Sequence, residues 1–338
     1  MRAARLHPGE RSLRIEDVPV PEPAGDQVLV RVAGAGVCHS DLHVLDGMFD
    51  DFVRLPVTMG HEIAGRVEAL GPDARDLEPG APVVVMVGWG CGHCEWCVSG
   101  HEQLCLTGDE AGATLDGGFA EYVLVPHRRH VVPLGGLDPL EATPFGCAAL
   151  CPYAAVNRVR SHLSGGSTLV VIGAGGLGQY GIQFARVLTG ATVIAVDVRG
   201  ERLTRARELG ADHGVLAGPG AAHEIYELSG GRGSDAVIDF VGTDDSLALA
   251  ASVVGRRGLV ALLGLAGGSV PFGFFAQAPE AALTTVVAGT VLDLQEVVRL
   301  AQSGRIQTRV ETYPLERIGD ALADLRAGRV EGRAVVTP

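Results

Sequence analysis

Four cysteines fall within fifteen residues, as Cys91-x2-Cys94-x2-Cys97-x7-Cys105. Four thiolates so spaced can close a tetrahedral Zn–S4 site with no open position, which pins an irregular loop that has little core of its own. An iron–sulfur cluster or reduced free thiols are the alternatives, although the x7 gap fits neither ferredoxin spacing. Three further candidate ligands lie apart: Cys38 in GVCHSDLH, His61 in MGHEIAGRV and Cys147 in TPFGCAALCPY. Two thiolates and an imidazole leave a fourth position for water or substrate, as a catalytic zinc requires. Spacing alone does not group them, because isolated Cys and His side chains are commonly packed instead of ligating.

A second chemistry lies in Gly173-Ala174-Gly175-Gly176-Leu177-Gly178. Gly173 allows a tight turn, Gly175 a close backbone approach to a pyrophosphate, and Gly178 close helix–strand packing. The free N–H groups of the helix that follows would face the phosphates. Asp197 ends the next strand about 20 residues on, where a carboxylate accepts from ribose hydroxyls and repels a 2′-phosphate; this favours NAD over NADP. Arg199 and Arg202 pull the other way if they meet a 2′-phosphate, or are simply the solvated start of a helix. A structural Gly-rich turn is the alternative for the whole motif.

The elements that must position these residues follow from local pattern. Residues 28–37, 63–70, 81–88 and 119–126 read as short strands bounded by Gly and Pro, so 1–146 is mostly β. From Thr168 the texture alternates: strands at 168–173 and 192–197, helices at 175–190 and 201–210, then strands within 234–242 and 258–268. Strands alternating with helices imply a doubly wound parallel sheet and an α/β class. A helix at 292–304, another at 318–328 and a strand from Arg333 close the chain. The expected domains are 1–146 with a cysteine lobe at about 88–108, a nucleotide domain at 147–288, and a segment 289–338 returning to the first domain.

The 338 residues are 47% apolar and 20% charged, enough to bury an ordinary core. A net charge of −13 disfavours nucleic acid and anionic membrane surfaces as partners. No apolar run reaches the ~18 residues of a spanning helix, and the N-terminus has no signal-like apolar stretch. The expected location is cytoplasmic, where seven clustered cysteines point to metal or catalysis instead of disulfides.

GVCHSDLH, GHEIAGRV, the cysteine lobe, DGGFAEYV and GAGGLG occur in one order along the chain. In this the sequence resembles the zinc-dependent medium-chain alcohol dehydrogenases over essentially its full length, with the look of bacterial NAD-dependent secondary-alcohol dehydrogenases. The resemblance implies a GroES-like catalytic domain beside a Rossmann domain. It implies two zinc ions, a catalytic one on Cys38, His61 and Cys147 and a structural one on the lobe. Ser40 would hydrogen-bond the substrate oxygen and His43 pass its proton to solvent. Asp41 would orient His61, and Glu62 would stand behind the metal as an outer-shell or transient ligand, with a structural ion pair as its alternative. His39 takes the place of a pyrophosphate-binding Arg, and Arg333 matches a late pyrophosphate Arg. A homotetramer, or a homodimer, is implied.

Departures bear on the substrate. Many relatives carry an aromatic pair before Gly-Thr-Arg; here the run is Val287-Ala288-Gly289-Thr290-Val291. A pocket widened for a bulkier alcohol or ketone is the expectation. Primary alcohols are the runner-up to secondary ones, and C=C or C=N reduction is a further alternative. Cys147 in place of a carboxylate disfavours a polyol dehydrogenase. Cys151 has no family role and reads as a buried small hydrophobe.

Overall fold

A computed structural model describes all residues, Met1–Pro338, as two compact units: Met1–Leu150 with Ala288–Pro338, and Cys151–Val287. The expected boundaries thus shift by four residues at one end and one at the other. The reason lies in the 3-10 turn Thr143–Gly146, which packs on the strands Val28–Gly36 and Glu62–Leu70 and carries Cys147 with it into the first unit. Gly146 is obligatory there, since a Cβ would lie 2.5 Å from the carbonyl oxygen of Val85.

The first unit is built on a seven-stranded sheet. Its order is Val131–Pro133, Pro82–Val85, Glu62–Leu70, Val28–Gly36, Arg333–Thr337, Val310–Pro314, and Tyr122–Val125 also pairs with Val28–Gly36. All pairings are antiparallel except the last, between Val310–Pro314 and Arg333–Thr337. Runs rich in Val and Ile fill the core: Val30, Val32, Ile63, Val67, Val83, Val85 and Val336 are buried together with Phe119. The expected strands at 81–88 and 119–126 are shorter, at Pro82–Val85 and Tyr122–Val125. The C-terminal strand returns to this sheet between Val28–Gly36 and Val310–Pro314, with Val335 opposite Gly36.

The second unit is a six-stranded parallel sheet ordered His213–Leu216, Thr192–Asp197, Thr168–Ile172, Ser234–Asp239, Val254–Leu262, Ala282–Thr285. Thr168–Ile172 is buried throughout, as a strand covered on both faces must be. The order reverses at that strand, and the Gly-rich loop leaves its carboxyl end, the position at which open α/β sheets bind ligands. The strand expected at 258–268 begins earlier, at Val254, directly after the helix Asp244–Val253. No helix is long and apolar enough to cross a membrane.

Val335 and Val336 are buried in a strand flanked by Val28–Gly36 and Val310–Pro314, so Arg333–Val336 are part of the core. Val335→Ala is expected to cost about 2 kcal/mol of unfolding free energy, measured by denaturant titration. A loss below about 0.5 kcal/mol would show that the C-terminal strand is peripheral.

Candidate active site

Cys38 is the residue before the helix His39–Leu45, and its extended backbone (φ −108°, ψ 158°) turns the chain out of the central strand. Its amide N–H donates to Asp41 Oδ2 at 2.7 Å. The other oxygen, Asp41 Oδ1, lies 3.5 Å from His61 Nδ1, with both side chains buried. That orientation leaves His61 Nε2 as the ligand atom. Cys147 arrives from the turn after Thr143–Gly146. One donor atom from each of Cys38, His61, Glu62 and Cys147 lies within 4.8 Å of the others, and all four residues are buried.

Electrostatics fits a cation among these donors. Hydrogen bonding from Cys147, then Arg333 and His61, hold the Cys38 thiol well below its ordinary value despite burial. Burial pushes the His61 ring toward neutrality, but Asp41 and then Cys38 outweigh it and raise its pKa. Two thiolates and two carboxylates beside one permanent cation carry a negative excess, most of which a divalent metal would offset.

That permanent cation is Arg333. Its Nε donates to Glu62 Oε2 at 2.9 Å and its Nη2 to Glu62 Oε1, with both residues inaccessible to solvent. Burial nevertheless lifts the Glu62 carboxyl to about 7, against the pull of Arg333. Gly36 makes the pairing possible: it faces Glu62 in the ladder, and any Cβ there would collide with the Glu62 carboxylate. Arg333, for which the resemblance implies a pyrophosphate contact, is given by the structure to Glu62. Sequence reading allowed Glu62 an ion-pair role but did not name Arg333 as its partner, and it missed Gly36. The glycines of VAGAGV within a strand were the available signal, because strand glycines mark close approach.

Ser40 and His43, three residues apart, share one face of the short helix. Ser40 Oγ lies 3.5 Å from Cys38 Sγ. His43 stands edge-on to Phe49, with ring centroids 6.4 Å apart. His39 is exposed at the helix start, and Cys151 is buried in the second unit. A residue not anticipated from sequence also belongs here: the half-buried Glu110, whose electrostatic neighbours are His61, Cys38 and Asp41.

The four lobe cysteines also bring their sulfurs within 4.8 Å of one another. Cys91 Sγ is 3.9 Å from Cys97 Sγ, and Cys94 Sγ is 3.8 Å from Cys105 Sγ. A tetrahedron of Zn–S bonds near 2.3 Å has edges of about 3.8 Å, so the sulfurs already have the spacing of a zinc site. Backbone amides at His93 and Cys94 draw the Cys91 thiol down to about 6, while burial pushes Cys97 up to about 12. Arg129 clasps the lobe, bonding Glu102 Oε1 at 3.1 Å and the Gly90 carbonyl.

In the second unit, Gly173 has φ +89° and Gly178 admits no Cβ because the carbonyl of Gly173 occupies the space. Gly175 is open on its Cβ side, with Arg202 the nearest group at 3.7 Å. Gly176 and Leu177 complete the turn into the helix Gly178–Leu188. Asp197 is buried; it accepts from the amides of Ala174 at 2.9 Å and Arg199 at 3.0 Å, and Arg202 Nη1 lies 3.6 Å away. Val287 is exposed, and Ala288 has φ +45°, a conformation strained for a bulky aromatic.

Comparison with known proteins agrees with this geometry. Residues 24–136 match the alcohol dehydrogenase GroES-like domain and residues 176–303 the zinc-binding dehydrogenase domain. The chain is 38% identical to an NAD-dependent alcohol dehydrogenase of Sulfurisphaera tokodaii, over all of both chains. It belongs to the zinc-binding alcohol dehydrogenase family. Another family member, the D-arabinose 1-dehydrogenase (NADP(+)) of Saccharolobus solfataricus, is 36% identical over 100% of this chain and 97% of its own. Among solved alcohol dehydrogenases, that of Aeropyrum pernix superposes with a TM-score of 0.93 at 36% identity, over the full length of both chains.

Removing one member of the Glu62–Arg333 pair leaves an uncompensated buried charge. Arg333→Met is expected to destabilise the protein by about 3–5 kcal/mol, and Glu62→Leu/Arg333→Met to recover most of the loss. Equal stability of the Arg333→Met variant and the parent, by denaturant unfolding, would show that the pair carries no such charge.

Proposed function

We propose that the chain is an NAD-dependent alcohol dehydrogenase whose preferred substrates are secondary alcohols, oxidised reversibly to ketones. The observation that carries this reading is the convergence of Cys38, His61 and Cys147 from three separate stretches, with Asp41 fixed behind His61. A zinc ion held by those three residues would supply Lewis acidity to the substrate hydroxyl, and NAD would supply the hydride acceptor. Ser40 Oγ accepts the hydroxyl proton, and the imidazole of His43 passes it to solvent, since an imidazole titrates near neutral pH. Asp41 keeps His61 in the tautomer that presents Nε2. Glu62, tied to Arg333, stays behind the donors. The lobe cysteines hold a structural zinc that orders 88–108.

In the second unit, Gly173, Gly175, Gly176, Leu177 and Gly178 would cradle the pyrophosphate, and Asp197 would accept from the adenosine ribose. Asp197 keeps capacity for this, since a carboxylate has about four acceptor positions and two are filled. His39 and Arg202 would lie at the cofactor's edge. Assembly is read as a homotetramer or homodimer: Ala282–Thr285 is an uncovered sheet edge, and Phe272, Phe274 and Phe275 nearby are exposed. A cytoplasmic location suits seven cysteines of which none is cross-linked.

The test is NADH formation across primary, aliphatic secondary, aryl secondary and cyclic alcohols, with NAD and with NADP. Turnover of secondary alcohols with NAD is expected. Faster turnover of primary alcohols would correct the substrate type, and inactivity on every alcohol would move the reading to C=C or C=N reduction. Asp197→Ser is expected to raise the NADP-to-NAD ratio of kcat/KM by at least about ten-fold, by removing the repulsion of a 2′-phosphate. An unchanged ratio would remove Asp197 from the cofactor site.

A further inference from the structure

Asp239 is a buried carboxylate that neither metal site uses. It ends the strand Ser234–Asp239 with no solvent exposure and lies opposite Ile172, the last residue before the Gly-rich loop. Its carboxylate accepts from three neutral donors. Oδ1 takes the amides of Val241 at 2.8 Å and Gly242 at 3.1 Å, and Oδ2 takes Ser246 Oγ at 2.7 Å. Hydrogen bonds to an ionised acceptor are stronger than neutral ones, and Ser246 lies in the first turn of the helix Asp244–Val253, whose amino end favours negative charge.

These bonds fix a turn at the carboxyl end of the parallel sheet. Thr243 and Ser246 cap the helix reciprocally: the Thr243 amide donates to Ser246 Oγ at 2.9 Å, and the Ser246 amide to Thr243 Oγ1 at 3.2 Å. The Asp239 carbonyl accepts from the amides of Leu263 at 2.9 Å and Gly264 at 3.0 Å, and the Gly242 carbonyl from Gly268 at 2.8 Å. Residues 239–243 and 263–268 are thereby joined into one block.

That block bears directly on the Gly-rich loop. The Phe240 amide donates to the Ile172 carbonyl at 2.9 Å. Val241 Cγ2 fills the space beside Gly173, 2.7 Å from where a Cβ would lie. The Phe240 ring packs on Gly181, 2.7 Å from its Cβ position, and reaches that of Gly178 at 3.8 Å. The loop is thus supported at its first and last glycines by two side chains whose backbone the Asp239 carboxylate fixes.

We propose that Asp239 is a positioning residue for the dinucleotide: through Val241 and Phe240 it holds Gly173–Gly178 in the shape that receives a pyrophosphate. This rests on the NAD reading and adds to it a residue that acts only through others. A loop already held in its binding shape is spared an ordering cost on association, so removing the support lowers affinity.

The experiment measures the Kd of NADH, by its fluorescence, on zinc-loaded wild type, D239A, D239N and V241A, each well below its melting midpoint. D239A is expected to weaken NADH by roughly ten- to hundred-fold. D239N keeps an oxygen for the Val241 and Gly242 amides, and its Kd should stay within about three-fold of wild type. V241A empties the space beside Gly173 and should weaken NADH by about three- to ten-fold. The KM for NAD should rise with Kd, while kcat at saturating NAD holds or rises because weakly held NADH leaves faster. Hydrogen exchange reads the support without any cofactor. The bonded amides of Gly173, Ala174, Gln179 and Tyr180 should exchange faster in D239A and V241A than in D239N, with those of the helix Gly200–Glu208 unchanged. A D239A protein with a lowered melting temperature but the parental Kd and loop exchange would overturn the proposal. If D239A does not fold, a V241A protein with parental Kd and exchange would overturn it equally. Wild type that binds no NADH would instead count against the NAD reading, and loop exchange would still decide the role of Asp239.

Discussion

The first unit depends on how a concentration of negative charge is tolerated inside an apolar sheet. Cys38, Cys147, Asp41 and Glu62 are all buried, within a core made largely of Val, Ile and Ala. Ionised groups in such surroundings are stable only when paired and hydrogen-bonded. Arg333 supplies one positive charge, and it comes from the last strand of the chain, nearly three hundred residues from Cys38 along the sequence. The return of the C-terminal segment to the side of the strand Val28–Gly36 is therefore an electrostatic requirement as much as a packing one. Gly36 completes the arrangement by leaving room for Glu62 to reach Arg333 across the central strand. A divalent cation held by Cys38, His61 and Cys147 would offset most of the remainder.

The cysteine lobe solves a different problem. Residues around 88–108 form only a two-residue strand, one turn of helix and a 3-10 turn, with little apolar burial. Such a segment needs a cross-link to keep one shape, and four sulfurs already at tetrahedral spacing provide it. The lobe is tied to the rest of the unit by the pairing of Gly88–Trp89 with Asp109–Glu110.

Much of this was legible in the sequence, and what was missed has a common cause. The parallel sheet was readable because TLVVI and TVIAVD are unbroken apolar runs followed by helical spacing, a local signal. The two groups of candidate donors that the fold brings together were expected from residue type together with the resemblance, although spacing alone did not join Cys38 to Cys147. The Glu62–Arg333 pair, the Gly36 opening and the position of Glu110 were not readable, since each depends on strand register between distant segments. The unit limit lies four residues beyond the expected one for the same reason: a 3-10 turn gives no periodic signal, and only its packing on two strands assigns it to the first unit.

Zinc content per chain in variants of each donor set tests the account most directly. Wild type is expected to hold two zinc ions per chain. His61→Ala is expected to hold one and to form no NADH, while keeping the circular dichroism of the parent. Cys97→Ser is expected to lose the other ion, with loss of thermal stability. Retention of both ions by His61→Ala, or full turnover by wild type holding only the lobe ion, would contradict the assignment of Cys38, His61 and Cys147 as a catalytic metal site.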